Sequence, residues 1–435
     1  MEIVGTSTDH QETTSDQVSL DVNKLAKSMR AELEIFPPFS DHCCIYRVPV
    51  RLRELNEKAY TPRLVSIGPL HHGKEELKAM EGHKILYFQD FLKFSKASLE
   101  ELVEVVEERE TRLRNCYAET IDLSSEEFVK MMLLDGVFII VIFLKNGYED
   151  PINTVDRIFN KPWMLGDIAL DMCLIENQLP FFILEDLFKA SEIASHYEEE
   201  CSMIKLTYKF FKDDWNSMLT EGILEDIKAY EAAHFVDLVR KCQKPSEPNT
   251  PKALESINMP SVTELHQAGV KFKLSPSKSL LDMKFEKGIL EIPSLRVQDN
   301  TGIYFRNLQA FEQCDSPEHH YIGNYISMIN FLVISPKDVE ILVENRIIEN
   351  LIHDNEAVSA VLHDISKLND LSKKNFIFAG LVEDLNAYCK RPWNKWKAVL
   401  KQNYFSTPWA VISVIAAVIF LILTGIQAVC SVIQL

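Results

Sequence analysis

The sequence is short of most of the patterns that announce chemistry. It has no Cys-x-x-Cys, so a zinc ribbon or a thioredoxin-type redox site is not expected. It has no His-Glu-x-x-His and no Gly-x-Ser-x-Gly, the patterns of zinc hydrolases and of serine hydrolases with a nucleophile elbow. No Asn-x-Ser/Thr sequon occurs, so the chain offers no N-glycosylation acceptor. It has no excess of positive charge. The formal net charge is −18, and nucleic-acid affinity rests on neutralising phosphates with Lys and Arg, so no nucleic-acid partner is expected. The N-terminus, MEIVGTSTDHQETTSD, lacks both the basic and the apolar region of a signal peptide. No solenoid-type repeat is present.

What is there is a large supply of core. Of 435 residues, 46% are hydrophobic, which argues against global disorder. The nine cysteines are scattered, several of them in apolar runs, as in a chain from a reducing compartment. The adjacent pair Cys43–Cys44 reads as packing in preference to redox chemistry.

The strongest local signal is at the C-terminus. From Gln402 onward there is no charged residue, and the run from Trp409 to Ile433 is apolar. As a helix it would extend about 37 Å. Lys390, Arg391, Lys395, Lys397 and Lys401 precede it, interleaved with Trp393 and Trp396. This reads as a basic and aromatic belt over 390–408, followed by a single C-terminal transmembrane helix over 409–433 anchored between Trp409 and Ile433. The lipid bilayer would then be a partner, and the bulk of the chain would lie in the cytosol. Two earlier apolar runs, Met131–Leu144 and Ile168–Phe188, are interrupted by acids and read as core helices.

The globular part reads as mainly α, with a small antiparallel β subdomain. Residues 1–34 form a polar N-terminal segment. A helical part follows over 35–243, and Lys244–Pro251 (KPSEPNTP) reads as an exposed boundary. The second part, 244–389, contains a sheet near 268–297. There Val270, Phe272 and Leu274 alternate with lysines, Leu281, Met283 and Phe285 do the same, and Lys287-Gly288 turns into Ile289–Ile292. Leu64–Ile67 is a further short strand candidate. Ser124-x-x-Glu127 is a capping box. The acidic residues around Leu99–Val106 read as a solvated helix face.

Candidate site residues are few. Gly68-x-x-x-x-Gly73-Lys74 has the glycine and lysine spacing of a phosphate loop. However, Glu75 replaces the required hydroxyl and Pro69 removes an amide, so nucleotide binding is not expected. His71 and His72 lack the matching ligands of a metal site. Glu176-Asn177-Gln178 places three polar residues between two apolar helical runs, with Pro180 starting the next helix; a buried, hydrogen-bonded corner is predicted. His71, His72, Glu176, Asn177 and Gln178 are therefore the candidate binding residues. No catalytic residue, metal or cofactor is assigned.

Several stretches resemble one family. They are CCIYRVPVRLRELNEKAYTPRLVSIGPLHHGKEELKAMEGHK (43–84), DIALDMCLIENQLPFFIL (167–184), SVTELHQAGVKF (261–272), GILEIPSL and TGIYFRNLQAFEQC (288–314), and PWAVISVIAAVIFLILTGIQ (408–427). Together and in this order they resemble the plant-specific "domain of unknown function 247" family. Leu70 stands where an aromatic is more usual. The resemblance implies a plant protein with one long conserved unit, a C-terminal membrane helix and no established activity. Some grass members are implicated in pollen self-incompatibility. The function expected is recognition through contacts with an unknown protein partner; the alternative is an enzyme of unfamiliar mechanism, with a pocket near Ile67–Gly73 and Glu176–Pro180.

Overall fold

A computed structural model describes residues 21–35, 42–148, 156–197, 201–212, 232–243, 252–254, 258–315, 320–367, 369, 375–391 and 408–433. The boundary expected at Lys244–Pro251, most of the basic belt and residues 1–20 of the polar segment lie outside these. The chain divides into two compact units, Met1–Cys43 and Cys44–Leu435. In the first, Val22–Ile35 is a helix.

The second unit is organised around one helix, Ser125–Gly147. Its start is set by the capping box: Ser124 Oγ accepts from the Glu127 amide, and the Glu127 carboxylate accepts from the Ser124 amide. Within it nearly every residue from Met131 to Leu144 is buried, because other helices cover it on all sides. Those helices are Glu81–Phe94, Leu99–Glu107, Phe181–Ala190 and Met203–Phe211. On Leu99–Glu107 the amphipathic pattern buries Leu102 and Val106 and leaves Glu101, Glu104, Glu107 and Glu108 exposed. One contiguous apolar core runs from Cys44 to Leu385 and joins this part to the helices Thr301–Asp315, Tyr321–Leu332, Pro336–Glu344, Asn355–Ser366 and Ala379–Cys389.

The sheet occurs where alternation placed it, but it is not purely antiparallel. Strands β1 (Lys271–Leu274), β2 (Lys284–Glu286) and β3 (Ile289–Ile292) lie in the order β1-β3-β2. Strands β2 and β3 form a hairpin over Lys287-Gly288, both with positive φ, 52° and 79°, as a two-residue turn requires. Strand β1 pairs parallel to β3, Phe272 opposite Leu290. The stretch 275–283 is long enough to carry the chain past β3, which leaves β3 central with Leu290 and Ile292 buried. A second, unforeseen pair joins β4 (Leu295–Val297) to β5 (Ile348–Asn350) in parallel. Leu64–Ile67 is not a strand.

Residues Pro408–Ile433 do form a helix. Among the described residues, however, no helix is long and apolar enough to cross a membrane, so the transmembrane helix expected over 409–433 is overturned. The side chains of Trp409 and Ile433 lie outside the described residues.

Candidate functional site

Helix Pro162–Asp171 ends inside the core, and the chain turns through 172–180 before Phe181–Ala190 begins at Pro180. A turn buried this deeply cannot leave its amides and carbonyls to water, so side chains must satisfy them. Asn177 Oδ1 accepts from the Ile67 amide at 2.7 Å, and its Nδ2 donates to the carbonyls of Val65 and Asp171, both at 3.0 Å. Gln178 Nε2 donates to the carbonyls of Met172 and Leu174, and its Oε1 accepts from the Phe235 amide. The Asp171 carboxylate accepts from three successive amides, Arg63, Leu64 and Val65, at 2.8, 2.7 and 2.9 Å. Residues 63–67 have no strand partner among the described residues, and side chains across the core take the place of a ladder at their amides.

Next to this lattice sits a charged cluster. The fully buried Glu176 accepts from the Val48 amide at 2.6 Å and pairs with Arg53. Its Oε2 lies 3.2 Å from His71 Nε2 and 3.6 Å from Arg47 Nη1, and Arg47 also pairs with Glu119 at 2.7 Å. Burial raises the Glu176 carboxyl, but His71, the Val48 amide and Arg53 outweigh it and hold the group below the ordinary range. Burial pushes His71 down more than Glu176 lifts it, so the ring is neutral near pH 7. A proton carried on Nε2 would face the carboxylate and leave Nδ1 as an acceptor; Nδ1, like Nε2 and Glu176 Oε2, makes no well-aligned hydrogen bond among the described residues.

A second buried charge lies on the other side of the 66–68 segment. Lys84 Nζ contacts Asp135 and Glu81, both at 2.6 Å, and donates to the Ser66 carbonyl at 2.7 Å. Burial alone would lower the Lys84 ammonium, but the two carboxylates raise it on balance. Asp135 also accepts from the Gly68 amide at 2.8 Å. In the stretch with phosphate-loop spacing, then, a carboxylate of the protein already occupies the Gly68 amide, and Pro69–His71 is a single 3-10 turn.

Of the residues predicted from sequence, His71 and Glu176 come together and Asn177 and Gln178 flank them, while His72 is exposed. Ile67–Gly73 and Glu176–Pro180 do adjoin. Sequence reasoning missed Arg47, Arg53, Asp171, Lys84 and Asp135 as members. The two aspartates carried a readable signal, since each is an acid within an apolar helical run; nothing local marks the arginines. Among the described residues no group of three or more His, Cys, Asp or Glu side chains could hold a metal ion. Chemically, the cluster offers one neutral imidazole nitrogen able to accept a hydrogen bond or a proton, beside a carboxylate whose oxygens already face partners.

Comparison with known proteins gives a family and no activity. The DUF247 family model, described as plant protein of unknown function, matches residues 45–423. The chain is 33% identical to UPF0481 protein At3g47200 of Arabidopsis thaliana over 421 residues, covering 89% of this chain and 86% of that one. It is 23% identical to putative UPF0481 protein At3g02645 of the same plant, covering 93% of each. No solved structure matches.

Proposed function

This chain belongs to the DUF247 family of plant proteins of unknown function, and within it we propose that the protein acts by recognition, through contacts with another protein, and not by turnover. One observation carries this reading. At the polar corner the hydrogen-bonding groups are turned on the chain itself: Asn177 uses its oxygen and both its donors on backbone groups, and Gln178 and Asp171 do likewise. A catalytic constellation keeps such groups convergent on a place where a reacting atom can sit. Here they serve the fold, and the chain's outward chemistry is a strongly acidic surface.

A second reading, catalysis in the Ile67–Gly73 and Glu176–Pro180 region, is favoured by the His71 Nδ1 that lacks a described partner. Both readings meet in one experiment. The full chain and its His71→Asn variant, each checked by circular dichroism, are used to capture partners from plant extract and are screened for small-molecule turnover. A reproducible partner held by both forms, with no turnover, supports recognition. Turnover by the wild type that the folded variant lacks would overturn it.

A further inference from the structure

Cys44 and Cys116 are far apart in sequence and adjacent in space. The amides of Cys44 and Ile45 both donate to the Cys116 carbonyl at 2.9 Å, and the Ala118 amide donates to the Ile45 carbonyl at 2.9 Å. Ile45 and Tyr117 are opposed in a parallel bridge. Cys116 caps the C-terminal end of helix Glu110–Asn115 in right-handed helical conformation, so these amide hydrogen bonds, and not a strand ladder, bring its backbone against Cys44. Two amides bonded to the Cys116 carbonyl at 2.9 Å hold the two backbones close, and a disulfide needs a Cα separation of about 4.4–6.8 Å. The thiols already meet: Cys44 hydrogen-bonds the Cys116 sulfur, and Cys116 Sγ in turn donates to the Arg112 carbonyl at 3.3 Å. No disulfide joins the described cysteines. The pair is buried but shallow, with exposed Arg112 and Ala118 beside it.

We propose that Cys44 and Cys116 form a reversible disulfide on reaction with a peroxide. Cys116 is the attacking sulfur, because the Cys44 hydrogen bond, despite burial, and the nearby Arg112 charge hold its thiol below the usual range. Its thiolate attacks one peroxide oxygen. The O–O bond breaks, an S–O bond forms, and the departing hydroxide takes a proton to leave as water. The Cys44 sulfur then attacks the Cys116 sulfenic acid; the S–S bond forms and the hydroxyl leaves as a second water, carrying the Cys44 proton. Two thiols lose two electrons, and the peroxide gains them. The new bond ties down the segment whose Cys44 carbonyl contacts His234 Nε2 at 2.9 Å and whose Val48 amide bonds Glu176. A labile bond of this kind fits a chain from a reducing compartment, where disulfides are transient.

The test uses the full chain and its Cys43→Ser variant, since Cys43 adjoins Cys44 in every proteolytic peptide. Each is treated with a few equivalents of hydrogen peroxide, alkylated, digested and mapped by mass spectrometry. The expected result is a loss of two alkylatable thiols per chain. A peptide linking Cys44 to Cys116 should appear in both proteins, reverse with dithiothreitol, and be accompanied by a higher urea midpoint. The proposal is overturned if Cys116 stays a thiol or proceeds to sulfinic acid with no link, or if the link vanishes in Cys43→Ser.

Discussion

A Cβ placed on Gly68 would stand 2.6 Å from the carbonyl oxygen of Gln178, and Gly68 has φ +73°. The two loops of the polar corner are thus packed backbone against backbone, at a position where an L side chain is disfavoured twice over. Gly68→Ala is expected to lower stability by about 3 kcal/mol, from left-handed strain plus displacement of the Gln178 peptide. Equilibrium urea unfolding measures it; a loss below about 1 kcal/mol would show that the loops separate easily.

Asn177 holds one amide and two carbonyls of the core. Truncation to Ala leaves all three buried without that partner, each worth about 1–3 kcal/mol. Asn177→Ala should therefore cost about 4 kcal/mol, more than truncating a surface polar residue such as His72. A thermal melt comparing the two variants checks this, and equal melting temperatures would refute the role given to Asn177.

The Lys84–Asp135 pair is buried on both sides. Lys84→Met strands the Asp135 charge and should cost about 3–5 kcal/mol, whereas a buried pair replaced together by apolar groups is often near neutral. The double variant Lys84→Met/Asp135→Leu also leaves the Gly68 amide without its acceptor. It should still be more stable than Lys84→Met alone. A double-mutant cycle reads the coupling, and additive losses would contradict it.

Glu312 supplies the pH prediction. It accepts from the amides of Ile322 and Gly323, both at 2.9 Å, at the start of the Tyr321–Leu332 helix. Burial pushes its carboxyl up to about 7, against an ordinary value near 4.5, although those amides and Arg240 pull it down. A folded-state value above the unfolded one means that the native state holds the proton longer. This contribution to stability is complete below pH 4.5 and is lost as pH rises towards 7. Glu312→Gln does not titrate, so the stability gap between wild type and variant should narrow between pH 4.5 and 7. Urea midpoints at the two ends test it; a gap that widens has the wrong sign.

The elements legible in the sequence were those specified by neighbours in the chain. The Ser124 capping box, the Lys287-Gly288 turn and the Pro180 helix start each depend on a few adjacent residues, and each appears in the fold. The buried corner at Glu176–Gln178 was legible because three polar residues between apolar helices must be satisfied somewhere. What was not legible depends on residues distant in sequence. Whether β1 joins β3 parallel is decided by the path of 275–283, and β4–β5 are three residues each, too short for alternation to show. The apolar pattern of Leu64–Ile67 resembled a strand, but its amides are bonded by Asp171 and Asn177, roughly a hundred residues away. The partnership of Cys44 with Cys116 likewise exists only after folding, which is why Cys44 read as a packing residue beside Cys43. At the C-terminus the apolar run was rightly read as a helix, and the inference of a membrane span was not right.

Side chains of the Asp171–Gln178 corner are expected to bind residues 63–67 into the core as firmly as a strand partner would. Native-state hydrogen exchange of the wild-type chain at the amides of Leu64, Val65 and Ile67 tests it most directly. The expected result is exchange as slow as in the central Ser125–Gly147 helix, governed by global unfolding. Exchange at these amides within seconds, as in an exposed loop, would contradict it.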